Sequence, residues 1–91
     1  MTSSEAEYLD CLRGERRAYA WVMERYGGMP PQEAAEAAVR CYPYEPADDP
    51  YRWLVFHEEA WHWAMQAVHG HDYVVEQPEL VHPPADYRAL D

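Results

Sequence analysis

The sequence predicts an all-α fold, a three-helix bundle with a central Trp-rich third helix and an extended C-terminal tail. Three observations lead there. Residues 50–69 run uninterrupted between a helix-starting Asp49-Pro50 and a helix-ending Gly70. Residues 5–26 gather their apolar side chains on one face at helical spacing. Pro78, Pro83 and Pro84 then exclude a long helix from the end of the chain.

The first helix is expected over about residues 5–26. Ser4 stands three positions before Glu7, the spacing of a capping box, and Gly27-Gly28 supplies the stop. One face carries Tyr8, Cys11, Leu12, Ala18, Tyr19, Val22 and Met23, and the other carries Asp10, Arg13, Arg17 and Glu24. Gly14 weakens the helix by about 1 kcal/mol relative to alanine. Glu15 interrupts the apolar face near its centre, Arg16 toward one edge, and Trp21 lies on the polar side.

Met29-Pro30-Pro31 marks a turn into the second helix, about residues 31–42, with Pro31 near the first position and Glu33 and Glu36 in the early turns. Its alanines at 34, 35, 37 and 38 permit close approach by another helix. Residues 42–49 (YPYEPADD) form a loop held by Pro43 and Pro46, whose Tyr42 and Tyr44 could serve as a recognition strip.

The third helix, about 50–69, holds Trp53, Trp61 and Trp63, the single phenylalanine, Phe56, and three of the five histidines. At about 100° per residue its apolar arc covers roughly 200°, wider than an ordinary surface helix, so neighbours are expected on two sides. Residues 1–70 are thus expected to form the bundle. Residues 71–91 show no sustained periodicity: Tyr73-Val74-Val75 reads as an extended strip, and one or two helical turns fit between Pro84 and Leu90. This tail either packs on the bundle through Val75, Leu80, Val81, Tyr87 and Leu90 or waits for a partner.

Composition narrows the function classes. Seventeen acidic residues face seven arginines and no lysine, giving a net charge of −10. That balance argues against direct nucleic-acid binding and against anionic membrane, and for solubility and basic partners. No apolar run is long enough to span a bilayer, and the acidic N-terminus is unlike a signal peptide, so a cytoplasmic protein is expected. Cys11 and Cys41 are too few for a disulfide scaffold or a cysteine zinc site. In an antiparallel hairpin Cys41 falls level with about residue 16, leaving Cys11 about 7 Å further along. Two packed, reduced thiols are therefore expected.

Candidate chemistry centres on His57. On the wheel it sits inside the apolar arc, where an imidazole needs partners, and Glu15 is similarly misplaced on the first helix. The two are expected to meet as a buried polar pair that fixes helix register, with Arg16 or a tyrosine hydroxyl completing it. A carboxylate orienting an imidazole also prepares a general base, but no nucleophile or oxyanion motif accompanies this pair. The stretch HEEAWH superficially resembles a zinc-protease helix, yet His57 and His62 are five apart and point roughly 140° from each other. Glu58, Glu59, His62 and His69 instead form a polar-face cluster. No metal and no cofactor are expected.

The leading functional expectation is a small acidic protein-protein interaction or regulatory protein without evident catalysis. Self-association as a homodimer is expected because so many aromatics on 91 residues would leave apolar area exposed. Trp21, Tyr42, Tyr44, Phe56 and Trp63 are the expected partner surface. Two further classes stay open. One is an inhibitor, immunity protein or nucleic-acid mimic that caps a basic partner. The other is a small ligand-binding or enzymatic domain built on Glu15 and His57.

Overall fold

Capping chemistry sets the first helix. The computed structural model describes residues 4–90; the polar start at residues 1–3 and Asp91 lie outside the described residues. Helix α1 spans Glu5–Arg25. The Ser4 hydroxyl accepts the Glu7 N–H at 3.1 Å while the Glu7 carboxylate accepts the Ser4 N–H at 2.8 Å, which closes the capping box. At the other end the Met29 N–H returns to the Met23 carbonyl at 3.1 Å. Gly28 takes φ 68, a conformation that favours glycine. A Cβ on Gly27 would stand 2.7 Å from the Met23 carbonyl oxygen, so neither glycine is replaceable without a shift.

Helix α2, Pro31–Cys41, lies against α1 through the buried Ala34, Ala37 and Ala38. Arg16 Nε donates to the Tyr42 carbonyl at 2.9 Å, closing the end of α2 and pinning the hairpin near the register that helix geometry predicts. Both cysteines are free. Cys41 is half-buried, but Cys11 is exposed, which corrects the expectation that both thiols are packed.

The continuous third helix is corrected. Residues 50–53 are turns, Leu54–His57 is a single 3-10 turn, and helix α3 begins only at Ala60 and ends at His69. Glu58 and Glu59 between them are extended, with ψ of 146° and 163°. Asp49 caps a turn instead of a helix, its carboxylate accepting the Tyr51 N–H at 2.8 Å. The reason lies in what the aromatics cover. Trp53 and Phe56 pack edge-on against Tyr8 near the start of α1, whereas Trp61 packs against Tyr26 and Tyr87 at the other end. The break lets the two groups turn independently toward ends of α1 separated by several turns. Gly70 ends α3 with φ 102, as its position predicts.

The central helix is therefore α1. It packs against both α2 and α3, which hardly touch each other, and it buries Tyr8, Leu12, Ala18, Tyr19, Val22 and Met23. Residues 71–90 are not extended. Helix α4 (Tyr73–Glu76), a 3-10 turn (Pro78–Val81) and helix α5 (Ala85–Arg88) form a strap of single turns, anchored by the buried Tyr73 and Tyr87. Val75 and Val81, expected to pack, are exposed. The protein is all-helical among the described residues, and no described helix is long and apolar enough to cross a membrane.

Candidate functional site

The break before α3 creates the site. A helix that starts in the protein interior brings backbone N–H groups needing acceptors. Three parts of the chain supply them here. The His62 N–H is taken by the Glu59 carbonyl at 3.0 Å, the Trp61 N–H by the Tyr87 hydroxyl of the strap at 3.0 Å, and Ala60 faces the Glu15 carboxylate of α1. The indole N–H of Trp61 adds a 2.6 Å bond to the Leu80 carbonyl. Glu15 and Glu59 place negative charge where the helix dipole favours it.

Glu15 is half-buried at the centre of the α1 face. Burial holds its pKa above the ordinary 4.5, the Ala60 N–H pulls it back, and the charge of Glu59 raises it again. A carboxyl raised in the folded state contributes most at low pH, and that contribution is lost as pH rises through the raised value. Glu15→Gln keeps an oxygen for Ala60 and removes the charge. It is expected to melt higher than the wild type at pH 7, with the difference vanishing once the pH falls below 4.5. A lower melting temperature at pH 7 would show that the charge at the helix end outweighs its desolvation. Glu5 has the opposite slope: bonds from Tyr44 and then Arg52 hold its pKa below the ordinary value, so its contribution is lost on acidification.

Two clefts open beside Glu15. One, of about 510 Å³, runs past Cys11, Gly14, Arg17, Ala18 and Leu90. The other, of about 590 Å³, is lined by Glu58, Glu59 and Val74 and backed by the buried Trp61 and Tyr73. Glu15 and Phe56 line both, so the clefts share a floor. Arg88 lines the first and Glu59 the second, and the two are joined by bonds of 2.9 and 3.2 Å. Behind the floor Tyr42 is fully buried, and its hydroxyl finds no partner among the described residues. Burial also pushes the Tyr87 hydroxyl up to about 12 and the Cys41 thiol up to about 11. Neither is poised to react as an anion near neutral pH.

The structure redistributes the sequence-derived candidates. His57 is exposed and its imidazole makes no hydrogen bond among the described residues, so the buried Glu15–His57 pair does not form, although both residues line the second cleft. The wheel buried His57 only on the premise of a continuous helix. Of the expected partner surface, Tyr42 is buried in the core and stacks on Phe56 at 6.0 Å. Trp21 is half-covered by Tyr87 and by Arg25, whose guanidinium sits 4.8 Å above its ring. Trp63 is half-buried with its indole N–H on the Val55 carbonyl at 3.1 Å, and Tyr44 is exposed with its hydroxyl on Glu5.

The polar-face cluster separates. Glu58, Glu59 and His62 line the cleft, and His62 Nδ1 shares a 3.0 Å hydrogen bond with Tyr73. His69 instead pairs with Gln77 at 3.3 Å. No group of three or more metal-ligating side chains gathers among the described residues.

Sequence reasoning missed Arg52. It is 6% exposed, lies 3.9 Å above the Tyr8 ring and donates to Glu5 at 2.9 Å and to the Glu45 carbonyl at 3.3 Å. Its only mark in the sequence is a lone arginine between Tyr51 and Trp53, which a continuous helix would place on the polar arc. No protein-family model, curated protein or solved structure matches the chain.

Proposed function

We propose that this protein is a small acidic interaction module whose contact face is the paired cleft, and that its partner is a protein presenting an arginine-bearing basic segment. The observation that carries this reading is the second cleft, where Glu15, Glu58 and Glu59 gather beside the half-buried Phe56 ring, with the buried Trp61 and Tyr73 behind them. Carboxylates beside aromatic faces suit a planar cation that hydrogen-bonds at its edge and stacks on its face, which is a guanidinium and not an ammonium. The protein makes the same combination internally with Arg52, Glu5 and Tyr8. The net charge of −10 supports attraction to such a partner over distance. The charge of Glu15 is held against its own desolvation, as groups retained for binding often are.

The test is calorimetric titration with a short peptide of alternating arginine and leucine, beside its citrulline counterpart of equal shape and no charge. Binding confined to the arginine peptide, weakened by salt and lost in the Glu15→Gln/Glu58→Gln double variant, is the expected result. Equal binding of both peptides, or of neither, would overturn it.

A second reading, self-association, draws on Val74 and Val81, which line the same cleft at 43% and 39% exposure, and on Val75 beside them in the chain, which is 80% exposed. A homodimer closed over them would persist at high salt in light scattering and dissociate in Val75→Glu. A monomer at every protein and salt concentration would exclude it.

A further inference from the structure

The Arg88–Glu59 pair occupies an unusual place. Arg88 presents both Nη atoms to the two oxygens of Glu59, at 2.9 and 3.2 Å, and its guanidinium lies 5.8 Å from the centre of the Tyr87 ring. This is the arrangement of carboxylate and aromatic ring assigned above to a partner's arginine, supplied here by the chain itself. The pair also joins the wall of one cleft to the wall of the other above the floor they share. Both side chains are about half exposed, at 56% and 42%, so water can replace each of them readily. The backbone around Arg88 is held far more firmly. Tyr87 is 6% exposed and bonded to the Trp61 N–H, and Leu80 is bonded to the Trp61 indole.

Resting on the reading of the cleft as an arginine site, we infer that Arg88 is an internal competitor that occupies Glu59 until a partner's arginine displaces it. The strap stays anchored through Tyr87 while the Arg88 side chain swings aside. Glu59 is then free for the incoming guanidinium, and the two clefts become one groove over Glu15 and Phe56. The contact is autoinhibitory. It raises the threshold for basic segments that offer a single weak contact and admits those that also fill the apolar part of the groove.

The experiment compares wild type, Arg88→Ala and Arg40→Ala with the arginine and citrulline peptides at fixed salt. Arg40 lies on α2, lines neither cleft and carries the same charge, so its removal controls for net charge. Circular dichroism melts check that each variant folds. Arg88→Ala is expected to bind the arginine peptide about two- to fivefold more tightly, the factor that a released surface ion pair supplies. Arg40→Ala should match wild type, and the citrulline peptide should gain nothing. An unchanged or weaker affinity in Arg88→Ala while wild type binds would overturn the competition and leave the arginine site standing. An equal gain in Arg40→Ala would overturn it too, by assigning the effect to overall charge. No binding by any of the three would overturn the site and the competition together.

Discussion

Replacing Arg52 by alanine is expected to destabilise the fold by about 2–3 kcal/mol. The guanidinium is almost fully enclosed, stacked on a Tyr8 ring that has no solvent exposure, and bonded to a carboxylate and a backbone carbonyl. Removing it leaves the Glu45 carbonyl short of a donor and a void over Tyr8, at the point where the loop at 42–49, the turns at 50–53 and α1 meet. The loss is less than for a fully buried pair because the Glu5 side chain is 44% exposed and rehydrates. Urea unfolding measures the loss, and a thermal melt should show a shift in Tm of about 4–8 °C for each kcal/mol in a domain of this size. Arg52→Lys should fall between the two, since a lysine keeps the charge but cannot hold both acceptors and stack. A loss below about 1 kcal/mol in Arg52→Ala would mean that the site behaves as an ordinary surface pair.

Tyr87→Phe is expected to be the second most damaging conservative change, at about 1–3 kcal/mol, because it strands the buried Trp61 N–H at the start of α3. The matched comparison is Tyr42→Phe. The Tyr42 hydroxyl is equally enclosed but has no partner among the described residues, so its loss should leave stability nearly unchanged. The two variants delete the same atom from two buried rings, and equilibrium unfolding should separate them by about 1 kcal/mol or more. Equal effects would show that the Tyr87 hydroxyl does not cap α3. The Tyr87 variant should also loosen the strap first, visible as faster hydrogen exchange of the Trp61 amide ahead of global unfolding.

What could be read from the residues followed how local the underlying physics is. Ser4 with Glu7, Pro31, and the glycines at 27, 28 and 70 act on their immediate neighbours, and the ends they mark lie within a residue or two of those observed. The break at Glu58-Glu59 is different. No proline or glycine announces it, and it arises because Tyr8 in the first turn of α1 and Tyr26 just past its end draw Phe56 and Trp61 in different directions. Everything that depended on the continuity of that helix changed with it. His57 moved out to solvent, Arg52 moved in, and the role of central helix passed to α1. Glu15 was legible as an anomaly on an apolar face, but not its partner, since a backbone N–H at a helix start leaves no mark in composition. The strap's contribution through Tyr87 was equally hidden, because three single turns carry no periodicity.

The placement of α1 between two helices that hardly meet has a consequence for how the molecule assembles. The α1–α2 hairpin closes through contacts near in sequence, whereas α3 and the strap reach α1 only after a long loop has been drawn in. The chain therefore has an early seam and a late one, and the paired cleft lies entirely on the late one. Amide exchange should report two blocks, with α3 and the strap opening at lower free energy than the hairpin. An occupant of the cleft would bind only the docked form, slowing exchange in that block and leaving α2 as it was. The surface that forms the cleft thus exists only once the last part of the chain has docked.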